Sequence, residues 1–198
     1  DYCKKIIIKS LNECKPDLVG INCLFAGAFQ DVLEFAKTVR SHSPHIKIAV
    51  GGIHPTYFYK EILTNCSFID CVAIGEGENS IVTLAASIEA KNEKMLSSIK
   101  SFAYRDKDGV VRINREKNYI EDLNSQPMPA WDLIDIQKYE MELDHYYNPS
   151  QLQIKYKAGI LTSRACPLAC NFCDMFLVMG KTHRKRGVKK IVDEIELL

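Results

Sequence analysis

No stretch of this 198-residue chain is apolar for long enough to cross a membrane, and its first residues carry no signal-peptide pattern. Neither sign of charge dominates: 26 Lys and Arg stand against 25 Asp and Glu, a net charge of +1. Nothing global therefore points to nucleic acid or to an acidic membrane as a partner. These absences make a cytoplasmic protein without a membrane span the expectation. What is present is ordinary for a globular chain: 46% hydrophobic and 26% charged residues, enough for one large domain or two small ones with a sizeable core.

Eight cysteines would suit a disulfide framework in a small secreted chain, but here three cluster as Cys166-x3-Cys170-x2-Cys173. The other five, Cys3, Cys14, Cys23, Cys66 and Cys71, are scattered, and Cys23 and Cys71 read as small buried hydrophobes in apolar strand-like runs. Ile160 and Leu161 read as a buried strand, which puts the cysteine triad on the loop at its C-terminal end, where α/β sheets place their chemistry. Three thiolates on one loop can hold three irons of a 4Fe-4S cluster and leave the fourth iron open, as a catalytic metal requires. A zinc site or three unconnected thiols are the alternatives. Zinc takes four ligands, usually as two separated pairs, and no second pair follows.

Ahead of the cysteines, apolar spacing predicts helices over 3–15, 29–42, 56–64 and 79–91, alternating with strands over 17–23, 46–50 and 68–74. That alternation predicts a Rossmann-like parallel α/β sheet with helices on both faces, its strands ending at Cys23, Gly51 and Gly75 on one common edge. The run at 17–23 reads as a buried strand. Residues 99–105 and 110–114 read as a hairpin turning at Asp106-Lys-Asp-Gly109, followed by a polar linker containing Pro127, Pro129 and Trp131, which can anchor by burying its ring. A short helix is expected over 133–145, a loop over 146–153 and an amphipathic helix over 188–198. The basic run Thr182-His-Arg-Lys-Arg186 reads as a solvated loop, with a phosphate or carboxylate contact as the other reading.

The cysteine loop, with Phe172 just before its last cysteine, resembles the signature loop of the radical S-adenosylmethionine enzymes. In that family the open iron binds S-adenosylmethionine and the reduced cluster cleaves it to a 5′-deoxyadenosyl radical. The resemblance implies that Cys166, Cys170 and Cys173 are the cluster ligands and that the backbone near Phe172 lies against the adenine. The part before the cysteines resembles the Rossmann-like cobalamin-binding domain that precedes the catalytic barrel in one branch of the same family. Asn22-Cys23-Leu24 stands where that branch has Ser-x-Leu, Gly51-Gly52 at its Gly-Gly, and Gly75-Glu76-Gly77-Glu78 at its Gly-Glu-Gly-Glu. Gln126-Pro-Met-Pro-Ala-Trp-Asp132 resembles the branch's interdomain crossing, Gln126 departing from Leu, and Gly187 stands where a serine is frequent.

On this resemblance residues 1–95 are expected to be most of a cobalamin-binding domain whose first βαβ portion lies before residue 1. Residues 96–157 are the hairpin and linker, and 158–198 the first βα unit of a (β/α) barrel, so the chain is expected to be a fragment. Each marker has a plain reading beside it: Gly51-Gly52 as a tight turn, Glu76 and Glu78 as complements of a helix dipole, and His54 as a hydrogen-bonding loop histidine rather than a neighbour or ligand of cobalt. The implied cofactors are a 4Fe-4S cluster, S-adenosylmethionine and cobalamin. The implied partners are a small-molecule substrate and an electron donor such as flavodoxin or ferredoxin. Methyl transfer or a radical cyclisation is the implied activity. A methylthiotransferase and a non-enzymatic cobalamin-binding module are the rivals; the first has its own N-terminal cysteine triad, for which residues 1–95 show no spacing, and the second leaves Cys166, Cys170 and Cys173 unexplained.

Overall fold

The computed structural model describes residues 2–135, 158–168 and 170–198. Its contacts divide the chain into two units, the first made of 1–119 with 169–180 and the second of 120–168 with 181–198. The first unit runs α1 (Tyr2–Cys14), β1 (Leu18–Asn22), α2 (Phe29–His42), β2 (Lys47–Gly51), α3 (Ile53–Asn65), β3 (Cys71–Ala73), α4 (Glu78–Glu89), β4 (Phe102–Arg105) and β5 (Val111–Asn114). The five strands form one sheet in chain order, β1-β2-β3-β4-β5; the first three are parallel and the last two antiparallel.

Strand side chains alternate between faces, and the two faces carry separate cores. Ile48, Val50, Val72 and Ala103 pack against Leu11 of α1, Val32, Ala36 and Val39 of α2, and Ile62 and Leu63 of α3. Ala49, Cys71 and Phe102 face the other way, against Leu84 of α4. Each fully buried aliphatic side chain contributes about 1.5–3 kcal/mol relative to exposure, so the face with three helices holds most of the stabilisation. Helices on both faces were the expectation, and the Rossmann-like layering is what the sheet adopts.

Three features differ from the sequence expectation. The strand at 17–23 is half-buried rather than buried, because β1 is an edge strand and Gly20 and Asn22 are exposed. The strand at 68–74 shortens to β3, because Ile69 N–H turns back to the Cys66 carbonyl and the Asp70 carboxylate is engaged by the Ile48 N–H at 2.7 Å and by Arg40. The hairpin does not stand apart as a linker element: β4 pairs antiparallel with β3 and extends the sheet. The helix over 133–145 and the loop over 146–153 fall outside the described residues, apart from 133–135, where Trp131–Leu133 is a 3-10 turn.

Chain order continues with β6 (Ser163–Arg164), α5 (Met175–Met179), β7 (Arg184–Lys185) and α6 (Val188–Leu197). In the second unit β6 and β7 pair antiparallel. The buried strand expected at Ile160 and Leu161 is not there; Leu161 is 45% exposed and pairing begins only at Ser163. The basic run is also not a simple solvated loop. Arg184 is buried and donates to the Ile120 carbonyl at 2.7 Å. Arg186 donates to the Leu161 carbonyl at 2.9 Å and is ion-paired with Glu194, itself 1% exposed on α6. Trp131 completes this knot by donating its indole N–H to Glu194 Oε1 at 2.9 Å. At the start of α6 the Gly187 N–H is held by Asn124 Oδ1 at 2.6 Å, and a Cβ at 187 would meet that oxygen at 3.0 Å. A serine there would crowd the amide.

No helix among the described residues is long and apolar enough to cross a membrane.

Candidate functional site

The parallel register sets Asn22 opposite Gly51 and Val50 opposite Val72, so β1, β2 and β3 present their C-terminal ends on one edge. Beyond the strands the edge is stitched by backbone bonds: Cys23 N–H to the Gly51 carbonyl at 2.8 Å, and His54 N–H to the Cys23 carbonyl at 3.3 Å. Cys23, Gly51 and Gly75 therefore share the common edge expected of them. Thr56, which the sequence did not single out, joins the last two loops. Its hydroxyl donates to the Gly52 carbonyl at 2.8 Å and accepts the Gly75 N–H at 2.9 Å.

The glycines serve this edge in different ways. Gly52 has φ +102, and a Cβ there would fall on the Asn22 side chain and within 2.5 Å of the Cys23 carbonyl oxygen. Gly75 has φ +71, and its Cβ would lie 2.9 Å from the Val178 carbonyl oxygen. Both positions need glycine for conformation and for close approach of the chain to itself. Gly51 and Gly77 do not, since a Cβ at either meets Ala73 only at ordinary distances, 3.6 Å or more.

Helix α3 starts at Ile53, three residues before the sequence expectation, and Pro55 in its first turn is the signal that could have placed it. Its first turn ends at Phe58, whose φ of −107 and ψ of 21 break the helix. His54, Thr56 and Tyr57 all lie on that short turn. His54 is thus a helical rather than a loop residue, and its ring packs against Phe29 and Phe58 with centroids 4.4 and 4.7 Å away. Desolvation holds its pKa below the ordinary histidine value, so the neutral imidazole is favoured. Cys23 is buried, donates its thiol to the Phe25 carbonyl at 3.3 Å, and is pushed up in pKa by that burial. Leu24, Phe25 and Phe58 stand exposed nearby in sequence, Glu76 is buried, and Glu78 opens α4 where a carboxylate complements the helix dipole.

The segment carrying Cys170 and Cys173 belongs to the first unit and lies on this same edge. Cys173 N–H closes a turn onto the Cys170 carbonyl at 3.0 Å. Tyr57 donates its hydroxyl to the carbonyl of Asp174 at 2.9 Å. Burial pushes the Tyr57 phenol up, with Asp174 and Cys173 adding in the same direction, so it stays protonated and able to donate. Val178 of α5 is buried beside Gly75, and Gly180 packs against the Tyr119 ring. Cys166 belongs to the second unit and follows Ala165, which has φ 67. All three cysteines are free and half-buried, and thiolates are the ligand type that iron–sulfur clusters take. Among the described residues no group of three His, Cys, Asp or Glu converges as a ready site for a metal ion. Phe172 is 90% exposed.

Comparison with known proteins bears on the same residues. Positions 4–85 match the family model described as the B12 binding domain. The chain is 29% identical, over 96% of its length, to the cytidylyl-2-hydroxyethylphosphonate methyltransferase of Streptomyces wedmorensis, covering 38% of that protein. It is 28% identical, over all of its length, to the anaerobic magnesium-protoporphyrin IX monomethyl ester cyclase of Rubrivivax gelatinosus, covering 34% of it. The fold is similar to the solved structure of OxsB, a cobalamin-dependent S-adenosylmethionine radical enzyme with aqua-cobalamin and S-adenosylmethionine bound. There the TM-score is 0.75 at 21% identity, over 98% of this chain and 24% of that one. The chain thus spans less than two-fifths of these relatives.

Proposed function

We propose that this chain, whose residues 4–85 match the B12 binding domain, belongs to the radical S-adenosylmethionine enzymes that carry such a domain, and that the whole protein cleaves S-adenosylmethionine and transfers a methyl group, by way of cobalamin, to a small-molecule substrate. When bound, the 4Fe-4S cluster supplies the electron for that cleavage and cobalamin carries the methyl group. Cys166, Cys170 and Cys173 hold the cluster as thiolates, and the backbone at Phe172 borders the adenine. Asn22, Cys23, Leu24, Gly51, Gly52, His54, Gly75, Glu76 and Gly77 line the cobalamin edge. Within that set the residues do separate work. Gly52 and Gly75 keep the loops low, buried Cys23 stays a thiol, and His54 presents a neutral ring.

The observation that carries this reading is the docking of the segment just after Cys173, through Tyr57 and Gly75, on the strand-end edge of the stretch that matches the B12 binding domain. A methyl carrier has to stand close to the radical chemistry it serves, and one edge offers both. A small one-electron protein such as a flavodoxin or ferredoxin would reduce the cluster. The cyclase relative supports radical cyclisation as the second outcome. Anaerobic reconstitution of the full-length protein, with analysis of iron, sulfide and cobalamin, tests the proposal. The wild type should take up all three, and Cys170→Ala should lose iron, sulfide and S-adenosylmethionine cleavage together while keeping cobalamin. Full iron content in Cys170→Ala would remove the cysteines from the cluster.

A further inference from the structure

We infer that Tyr57 is a positioning residue for the thiol of Cys173, an inference that rests on the reading of Cys173 as a cluster ligand. The segment after Cys170 cannot hold its own shape. Its helix, α5, has five residues, far below the length at which a helix is stable alone, and the residue at its N-cap, Asp174, provides no side-chain cap. The segment is therefore shaped by what it docks on.

Three of its contacts within the first unit are with Gly75, Tyr119 and Tyr57. Val178 is buried where a side chain on Gly75 would collide with its carbonyl, and Gly180 packs its open face against the Tyr119 ring. Both contacts lie five or more residues beyond Cys173. The third contact is polar and adjacent: Tyr57 donates to the carbonyl of Asp174, the next residue after Cys173. The Cys173 N–H is itself committed to the Cys170 carbonyl. A bond at 174 therefore fixes the orientation of the whole cysteine turn on the sheet edge. Tyr57 can do this because α3 breaks at Phe58. The first turn of α3 is set by Gly52 and Thr56 rather than by the rest of the helix.

The test compares full-length wild type with Tyr57→Phe, which keeps the ring and removes only the donor. In cluster-free protein, amide hydrogen exchange over 170–180 should accelerate about 2- to 10-fold, the loss of one hydrogen bond, while exchange in β2 stays unchanged. In reconstituted protein the variant should reach wild-type iron content, lose iron faster to a chelator, and show shifted g-values for the reduced cluster by electron paramagnetic resonance. Wild-type exchange, iron loss and g-values in the variant would overturn the role of Tyr57 alone. Wild-type protein that takes up no iron would overturn the cluster reading and this role with it.

Discussion

Thr56 Oγ1 lies 2.9 Å from the backbone nitrogen of Gly75 and 2.8 Å from the carbonyl oxygen of Gly52. One hydroxyl thus satisfies a donor on one loop and an acceptor on another, joining the ends of β2 and β3. Thr56→Val keeps the branched shape and deletes both bonds, leaving Gly75 N–H short of a partner. Each lost bond costs about 0.5–1.5 kcal/mol, and more where the orphaned group stays buried. We expect a fall of about 1–3 kcal/mol in urea unfolding, with Thr56→Ser recovering most of it.

Gly52 and Gly77 each stand just before a helix, α3 and α4, and should respond differently to alanine. At Gly52 a methyl group adds left-handed strain to a collision with the Cys23 carbonyl, each of about 1–3 kcal/mol. At Gly77 φ is −94 and the neighbouring Ala73 methyl is at contact distance. Gly52→Ala should lower the denaturation midpoint sharply, and Gly77→Ala should leave it nearly in place. Equal effects would show that these two turns are not shaped as described.

Arg186 and Glu194 form a buried pair, 9% and 1% exposed, that also receives the Trp131 indole. Breaking such a pair from one side strands a charge and costs about 3–5 kcal/mol, whereas replacing both partners with apolar groups can be close to neutral. Arg186→Met should therefore destabilise more than Arg186→Met combined with Glu194→Leu. A double-mutant cycle in urea measures the difference.

His54 links stability to pH. Its folded pKa lies below the ordinary value of about 6.5, so as pH falls through that value the unfolded chain takes up the proton first. Stability is unaffected by His54 above about pH 7 and declines on the acid side, since the unfolded state then binds more protons. Unfolding midpoints from pH 7.5 to 5 should fall less steeply in His54→Gln. An equal slope in both proteins would mean the ring is not desolvated by Phe29 and Phe58.

The sequence carried the layering well because burial and periodicity are local signals. Helix α2 spans Phe29–His42 as spacing alone implies, and Cys23 and Cys71 are the buried small residues they read as. It carried partners across space poorly. Arg186 reads as a solvated base because Leu161 and Glu194 lie 25 and 8 positions away. A period-two hairpin announces strands but not the sheet they join, so β4 and β5 were set apart from β3. At the candidate edge Gly-Gly and Gly-Glu-Gly-Glu were visible, but their spacing is silent on which glycine a Cβ would obstruct. Thr56 and Tyr57 were missed because hydroxyls one helical turn past Gly52 look like surface residues until the opposing loops are in place.

The first unit is sewn from two separated stretches, 1–119 and 169–180. During synthesis each strand of the sheet can pair with the one made just before it. The cysteine turn cannot join until some fifty further residues have left the ribosome, a delay of several seconds at about 5–20 residues per second. The turn is then the last piece laid on a finished edge, so the nascent chain exposes its thiols only while the edge that seats two of them is already folded.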